Sequence, residues 1–119
     1  MELDQCACSG KSLGRLLRPA IMALLARGPA HGYQLLQHLR PMKMFAGQEA
    51  DHTGIYRALK QMEDEGLLRS QWDLADSGPS KRVFALTDDG IACMRQWRQT
   101  LRAYRAAVDE LLGLLGHGG

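Results

Sequence analysis

The chain has little that would send it into a membrane or out of a cell. Its longest apolar run, Ala20 to Ala26, falls far short of the ~20 residues a bilayer-spanning helix needs. The opening residues, MELDQCACSG, carry neither the basic segment nor the apolar segment of a secretory signal. Cysteines number three, Cys6, Cys8 and Cys93, and an odd count without framework spacing argues against a secreted disulfide scaffold. No Ser/His/Asp grouping, glycine-rich phosphate loop or pair of catalytic carboxylates stands out, which argues against an enzyme. The expectation is a soluble protein of a reducing cytoplasm, with no membrane partner. Acids are also missing locally. From Lys11 to Lys43 the charged residues are Lys11, Arg15, Arg18, Arg27, Arg40 and Lys43, without one carboxylate. A basic segment of that kind suits a polyanion, although a solvated surface would look the same.

What is present fits one domain. The chain has 119 residues, 45% hydrophobic and 24% charged, with a net charge of +2, which are ordinary globular values. Apolar residues at helical spacing begin at Leu13 and continue through Leu16, Leu17, Ile21, Leu24 and Leu25. Pro19 inside this run predicts a continuous helix from about Arg18, and Gly28-Pro29 stops it. A second helix is expected from about His31 to Leu39, with Tyr33, Leu35, Leu36 and Leu39 as its apolar face and Pro41 beyond its end. Residues 42–50 read as a loop. A third helix follows the N-cap candidate Asp51, with Ile55, Leu59 and Met62 on its apolar side and Gly66 closing it. Strands are expected from about Arg69 to Leu74 and from about Arg82 to Leu86, around the turn-forming Ala75 to Ser80.

Thr87 is the N-cap expected for the last helix, with Asp88 and Asp89 at the positive end of its dipole. Met94, Trp97, Leu101, Tyr104, Val108, Leu111 and Leu115 then recur at alternating steps of three and four. That is a heptad seam, and one isolated helix cannot bury such a stripe. A partner helix is implied, and a second copy of the chain is the expected source. Packing within the same chain is the plainer alternative.

The order helix, helix, helix, hairpin, helix gives a mainly α fold class with a small β-hairpin: a winged helix-turn-helix domain plus a long C-terminal dimerisation helix. The expected division is a tail over residues 1–12, the winged helix-turn-helix domain over 13–86 and the dimerisation helix over 87–119. A helix fits the major groove of duplex DNA, so double-stranded DNA is the expected partner. Residues at the exposed start of the third helix, His52, Thr53 and Arg57, are the candidate base readers, with Lys60 one turn on as a backbone contact. Lys81 and Arg82 on the hairpin are candidate phosphate contacts.

Several short stretches carry a more specific likeness. They are His31-Gly32-Tyr33, Gly54-Ile55-Tyr56 with Leu59, Glu63-Asp64-Glu65-Gly66-Leu67, Gly78-Pro79 with Lys81-Arg82, then Phe84, Leu86-Thr87 and Gly90. In this order and spacing the chain resembles the PadR family of bacterial transcriptional regulators. The resemblance implies a homodimeric repressor of a palindromic operator, with Tyr56 near a phosphate. Tyr56 serving only to pack is the alternative.

Cys6 and Cys8 lie one residue apart, and with Cys93 they could offer thiolates to a soft metal or metalloid, or sense a redox change. The favoured reading is plainer, with Cys93 a small buried hydrophobe, two tail thiols without a role, and no cofactor. Trp97 and Tyr104 could instead admit a flat organic effector at the dimer seam, although seam core explains them more simply. The rival to a DNA-binding regulator is a winged-helix protein-interaction module, which the acidic end of the third helix would suit. A thiol enzyme built on Cys6 and Cys8 lacks an activating base.

Overall fold

A computed structural model of the chain describes residues 16–42, 52–73 and 81–116. The elements run α1 (Leu17–Leu25), β1 (Ala30–His31), α2 (Gly32–Leu39), α3 (His52–Asp64), β2 (Leu68–Asp73), β3 (Lys81–Leu86) and α4 (Asp88–Leu115). The cap candidate Asp51, the 42–50 loop beyond Met42, the 75–80 turn, Cys6 and Cys8 lie outside the described residues.

Pro19 sits in the first turn of α1, where a backbone N–H would have no helical partner anyway. The helix buries Ala20, Ile21, Met22 and Leu25, and Gly28, at φ 148°, turns the chain away into Pro29. His31, in extended conformation, leads into α2, and Gln34 Oε1 accepts from its backbone N–H at 2.9 Å. Leu35, Leu36 and Leu39 are buried. Tyr33, expected on the same apolar face, is 57% exposed instead. One residue along a helix turns it by about 100°, and that places Tyr33 off the stripe its three leucines define.

In α3, Ile55, Leu59 and Met62 are each 1% exposed or less. Together with α1, α2, Leu68 and Phe84 they form the core. The helix ends in a Schellman turn. Leu67 N donates to Met62 O at 2.9 Å and Gly66 N to Glu63 O at 3.0 Å, with Gly66 at φ 81°. A Cβ at Gly66 would meet open space, so only the backbone penalty applies to Gly66→Ala. It should cost about 1 kcal/mol and lower the melting temperature by roughly 4 °C, which thermal denaturation followed by circular dichroism reads directly.

The expected two-stranded wing is part of a three-stranded antiparallel sheet of order β1-β3-β2. The added strand is only two residues long, pairing Ala30 with Phe84 and His31 with Val83. So short a strand carries no alternation by which a sequence could announce it. Thr87 caps α4 as expected, its hydroxyl oxygen accepting from Gly90 N at 3.0 Å while donating to Gly66 O at 2.6 Å.

The 28-residue α4 divides the heptad seam in two. Met94 and Trp97 pack against the chain's own core, and Leu101 is half-buried. Tyr104, Val108, Leu111 and Leu115 are 52–73% exposed, as is the neighbouring Leu112, and Leu114 is 78% exposed. The second half of the helix projects as an arm, and the radius of gyration is 17.0 Å, against about 13–14 Å for a compact domain of this length. Among the described residues, no helix is long and apolar enough to cross a membrane.

Candidate nucleic-acid interface

Burial of Ile55, Leu59 and Met62 turns the opposite face of α3 outward. Thr53, Arg57 and Lys60 recur there at steps of four and three, and all three are exposed. His52 opens the helix, but its side chain lies outside the described residues. The stripe combines a hydroxyl, a guanidinium and an ammonium group, the donors that read base edges and hold phosphates.

Tyr56 lies on the flank of this stripe and is half-buried. Its ring stands where a side chain at Gly32 would be, for a Cβ there would lie 2.4 Å from Tyr56 Cζ and 2.5 Å from its hydroxyl oxygen. Gly32 therefore lets α3 approach the first turn of α2 closely, and Tyr56 fills the gap. The glycine and the tyrosine of the two short motifs are one contact.

The two hairpin cations differ in their surroundings. Lys81 is exposed. Arg82 is held internally: its NH2 group donates to Glu63 Oε1 at 2.9 Å and its Nε to Ser70 Oγ at 2.7 Å. The Ser70 hydroxyl in turn donates to Glu63 Oε2. Arg82 also lies 6.0 Å from the ring centre of Trp72 and 5.8 Å from that of Phe84. An exposed ion pair contributes about 0.2–1 kcal/mol, but this one fixes where the hairpin stands beside α3. At the same end of α3, Glu65 pairs with Arg18. Two of the three carboxylates at that end are thus engaged by arginines, one of them from the acid-free N-terminal segment.

Cys93 is a half-buried free thiol packed against the core. Among the described residues, no three His, Cys, Asp or Glu side chains come together as a metal site would require. The sequence reading missed Trp72, which is 62% exposed, and missed Glu63 and Ser70 as partners of Arg82. The two-residue period of a strand puts Leu68, Ser70 and Trp72 on one face, but only the register, with Trp72 opposite Arg82, shows what that face assembles.

Three packed helices, a small antiparallel sheet ending in a hairpin, and a polar stripe on the third helix beside that hairpin define a winged helix-turn-helix protein. Residues 21–96 match the transcriptional regulator PadR-like family, and the chain belongs to that family. It is 32% identical over 85 residues to the negative transcriptional regulator PadR of Bacillus subtilis, covering 70% of this chain and 45% of that one. To a probable transcriptional regulator of Mycobacterium tuberculosis it is 33% identical over 79 residues, 66% of this chain and 41% of the other. The chain thus spans less than half the length of these curated relatives. Among solved structures it is similar to a regulator of Thermoplasma acidophilum (TM-score 0.71, 28% identity, 82% of this chain and 91% of that one). It is also similar to Bacillus subtilis PadR solved in complex with operator DNA (TM-score 0.61, 25% identity, 79% and 60%). The family is one of transcriptional regulators, and the Bacillus subtilis relative is a negative transcriptional regulator.

Proposed function

We propose that the chain is a homodimeric transcriptional repressor that binds a palindromic operator in duplex DNA and is released by a small effector. The observation that carries DNA binding is the exposed Thr53–Arg57–Lys60 stripe on a helix whose opposite face is wholly buried. Dimerisation rests on the uncovered seam of α4. Two copies joined along it would present two α3 helices to successive major grooves, about 34 Å apart. The effector reading rests on side-chain chemistry of α4 and the N-terminal thiols. A flat organic molecule would use Tyr104 on the exposed half of α4 with the half-buried Trp97, and a thiophilic metal, metalloid or oxidant would draw on the Cys93 thiol with those of Cys6 and Cys8, which lie outside the described residues. The rival module that binds protein and not DNA drew on the acids ending α3. With Glu63 and Glu65 paired to arginines, that end gives it little support.

A mobility-shift titration on the DNA upstream of the protein's own gene tests the reading. Arg57→Ala should weaken binding about tenfold or more and relax base preference, the loss of a paired contact to guanine being worth about 1–3 kcal/mol. Lys60→Ala should weaken all sequences alike and lower the salt slope by about 1. Wild-type affinity in both variants at matched salt would overturn the assignment of α3 to the groove.

A further inference from the structure

The hairpin carries a large apolar side chain that neither the core nor the heptad seam accounts for. Trp72 stands near the outer end of β2 with 62% of its surface exposed. Its face of the strand is the inward one: Leu68, four residues back, is 2% exposed, and Phe84 across from Ser70 is 3% exposed. The sheet face that packs on the domain therefore runs outward past the core and ends in an uncovered indole.

The surroundings of that indole are built. Arg82 lies opposite it in the ladder, with its guanidinium 6.0 Å from the ring centre. Glu63 and Ser70 hold the same guanidinium at 2.9 and 2.7 Å. Glu63 belongs to α3. It sits three residues beyond Lys60, on the flank between the exposed stripe and the buried face. The chain of contacts Glu63–Arg82–Trp72 thus ties the indole to the helix that carries the stripe, on the side next to it. Among the described residues Arg57, Lys60 and Lys81 lie in no ion pair, since those present are Arg18–Glu65 and Arg82–Glu63. Trp72 is thus a flat, uncharged ring set among charged neighbours, Arg82 across the ladder from it and Lys81 opposite Asp73 one pair further out.

We propose that Trp72 is a DNA-contacting residue of the hairpin, its indole lying against the sugar–phosphate wall of the duplex beside α3. Arg82, Ser70 and Glu63 are the residues that position it. The inference rests on the DNA-binding reading above. A duplex seated on Thr53, Arg57 and Lys60 meets the hairpin on the Glu63 flank. Deoxyribose offers an apolar surface between phosphates, which suits an aromatic ring at low entropic cost. Arg82, with two of its donors given to Glu63 and Ser70, steadies the ring from the opposite strand.

The salt dependence of binding separates this role from a charge contact. Each phosphate neutralised contributes about 0.9 to the slope of log K against log salt, and an uncharged ring contributes nothing. Trp72→Ala should weaken binding to the upstream duplex about tenfold, the size of one aromatic contact, and leave the slope unchanged. Trp72→Phe should restore most of the loss, and both variants should melt like the wild type because the ring is exposed. With Trp97 replaced by phenylalanine, adding duplex should shift or quench the emission of Trp72. The proposal is overturned if Trp72→Ala binds as tightly as wild type, if its salt slope falls, or if the indole emission stays fixed while the complex forms. Should the wild type bind no duplex at all, the DNA-binding reading fails first and this one with it.

Discussion

Val108→Asp together with Leu111→Asp should leave the chain monomeric at micromolar concentration and weaken operator binding at least 100-fold. Both side chains are about half exposed, 52% and 54%, so neither holds the chain's own core. What they lack is a cover. A helix of this kind, unsupported over its last three or four turns, is marginal in water, and its seam residues Tyr104, Val108, Leu111 and Leu115 face outward together. A carboxylate at each of two seam positions would have to be desolvated on pairing, which costs far more than the lost apolar contact. Separating the protomers turns a two-site attachment into a one-site attachment, and avidity of about 10²–10⁴ is lost with it. Sedimentation gives the mass and a titration gives the affinity. The far-ultraviolet circular dichroism of the three-helix domain should survive. A variant that remains dimeric would place the interface elsewhere.

Gly90→Ala should destabilise the fold by about 2–3 kcal/mol, in spite of alanine's better helix propensity. Inside a helix that exchange ordinarily gains about 1 kcal/mol. Here a Cβ would lie 2.1 Å from the carbonyl oxygen of Leu67, which is backbone and cannot swing aside. That carbonyl also accepts from Thr87 N at 3.1 Å, and the Thr87 hydroxyl donates to the neighbouring Gly66 carbonyl. The start of α4 is therefore fastened against the α3–β2 turn at Gly90. Inserting a methyl group must prise the two apart, and overpacking of this sort costs about 1–3 kcal/mol before the capping bonds are counted. The melting temperature should fall by roughly 10 °C or more. An unchanged or raised melting temperature would mean that propensity wins and the contact is slack.

Much of this fold is legible in the sequence. Pro19, Gly28-Pro29 and Gly66 punctuate the helices because each has a fixed backbone consequence, and Thr87 caps α4 because its hydroxyl chemistry is local. Ile55, Leu59 and Met62 declared the buried side of α3, and so its outward stripe, through helical period alone. Features that depend on distant residues were hidden. β1 exists only because β3 offers it a partner. From sequence Arg82 is a candidate phosphate contact on the hairpin, and only the register brings Ser70 and Glu63 to it. Tyr33 looked apolar by type, but its angular position on α2 decided its exposure. The heptad seam was visible as a pattern, but a pattern does not say where one protein ends and its partner begins. Met94 and Trp97 turn inward to the chain's own domain, while Tyr104 and beyond do not.

The most direct test of the account is the number of chains in the complex with a single upstream duplex, read by sedimentation or native mass. Two copies on one duplex, at a protein concentration where the free chain is already paired, is the expected result. One copy per duplex, or no complex with any duplex offered at moderate salt, would contradict it.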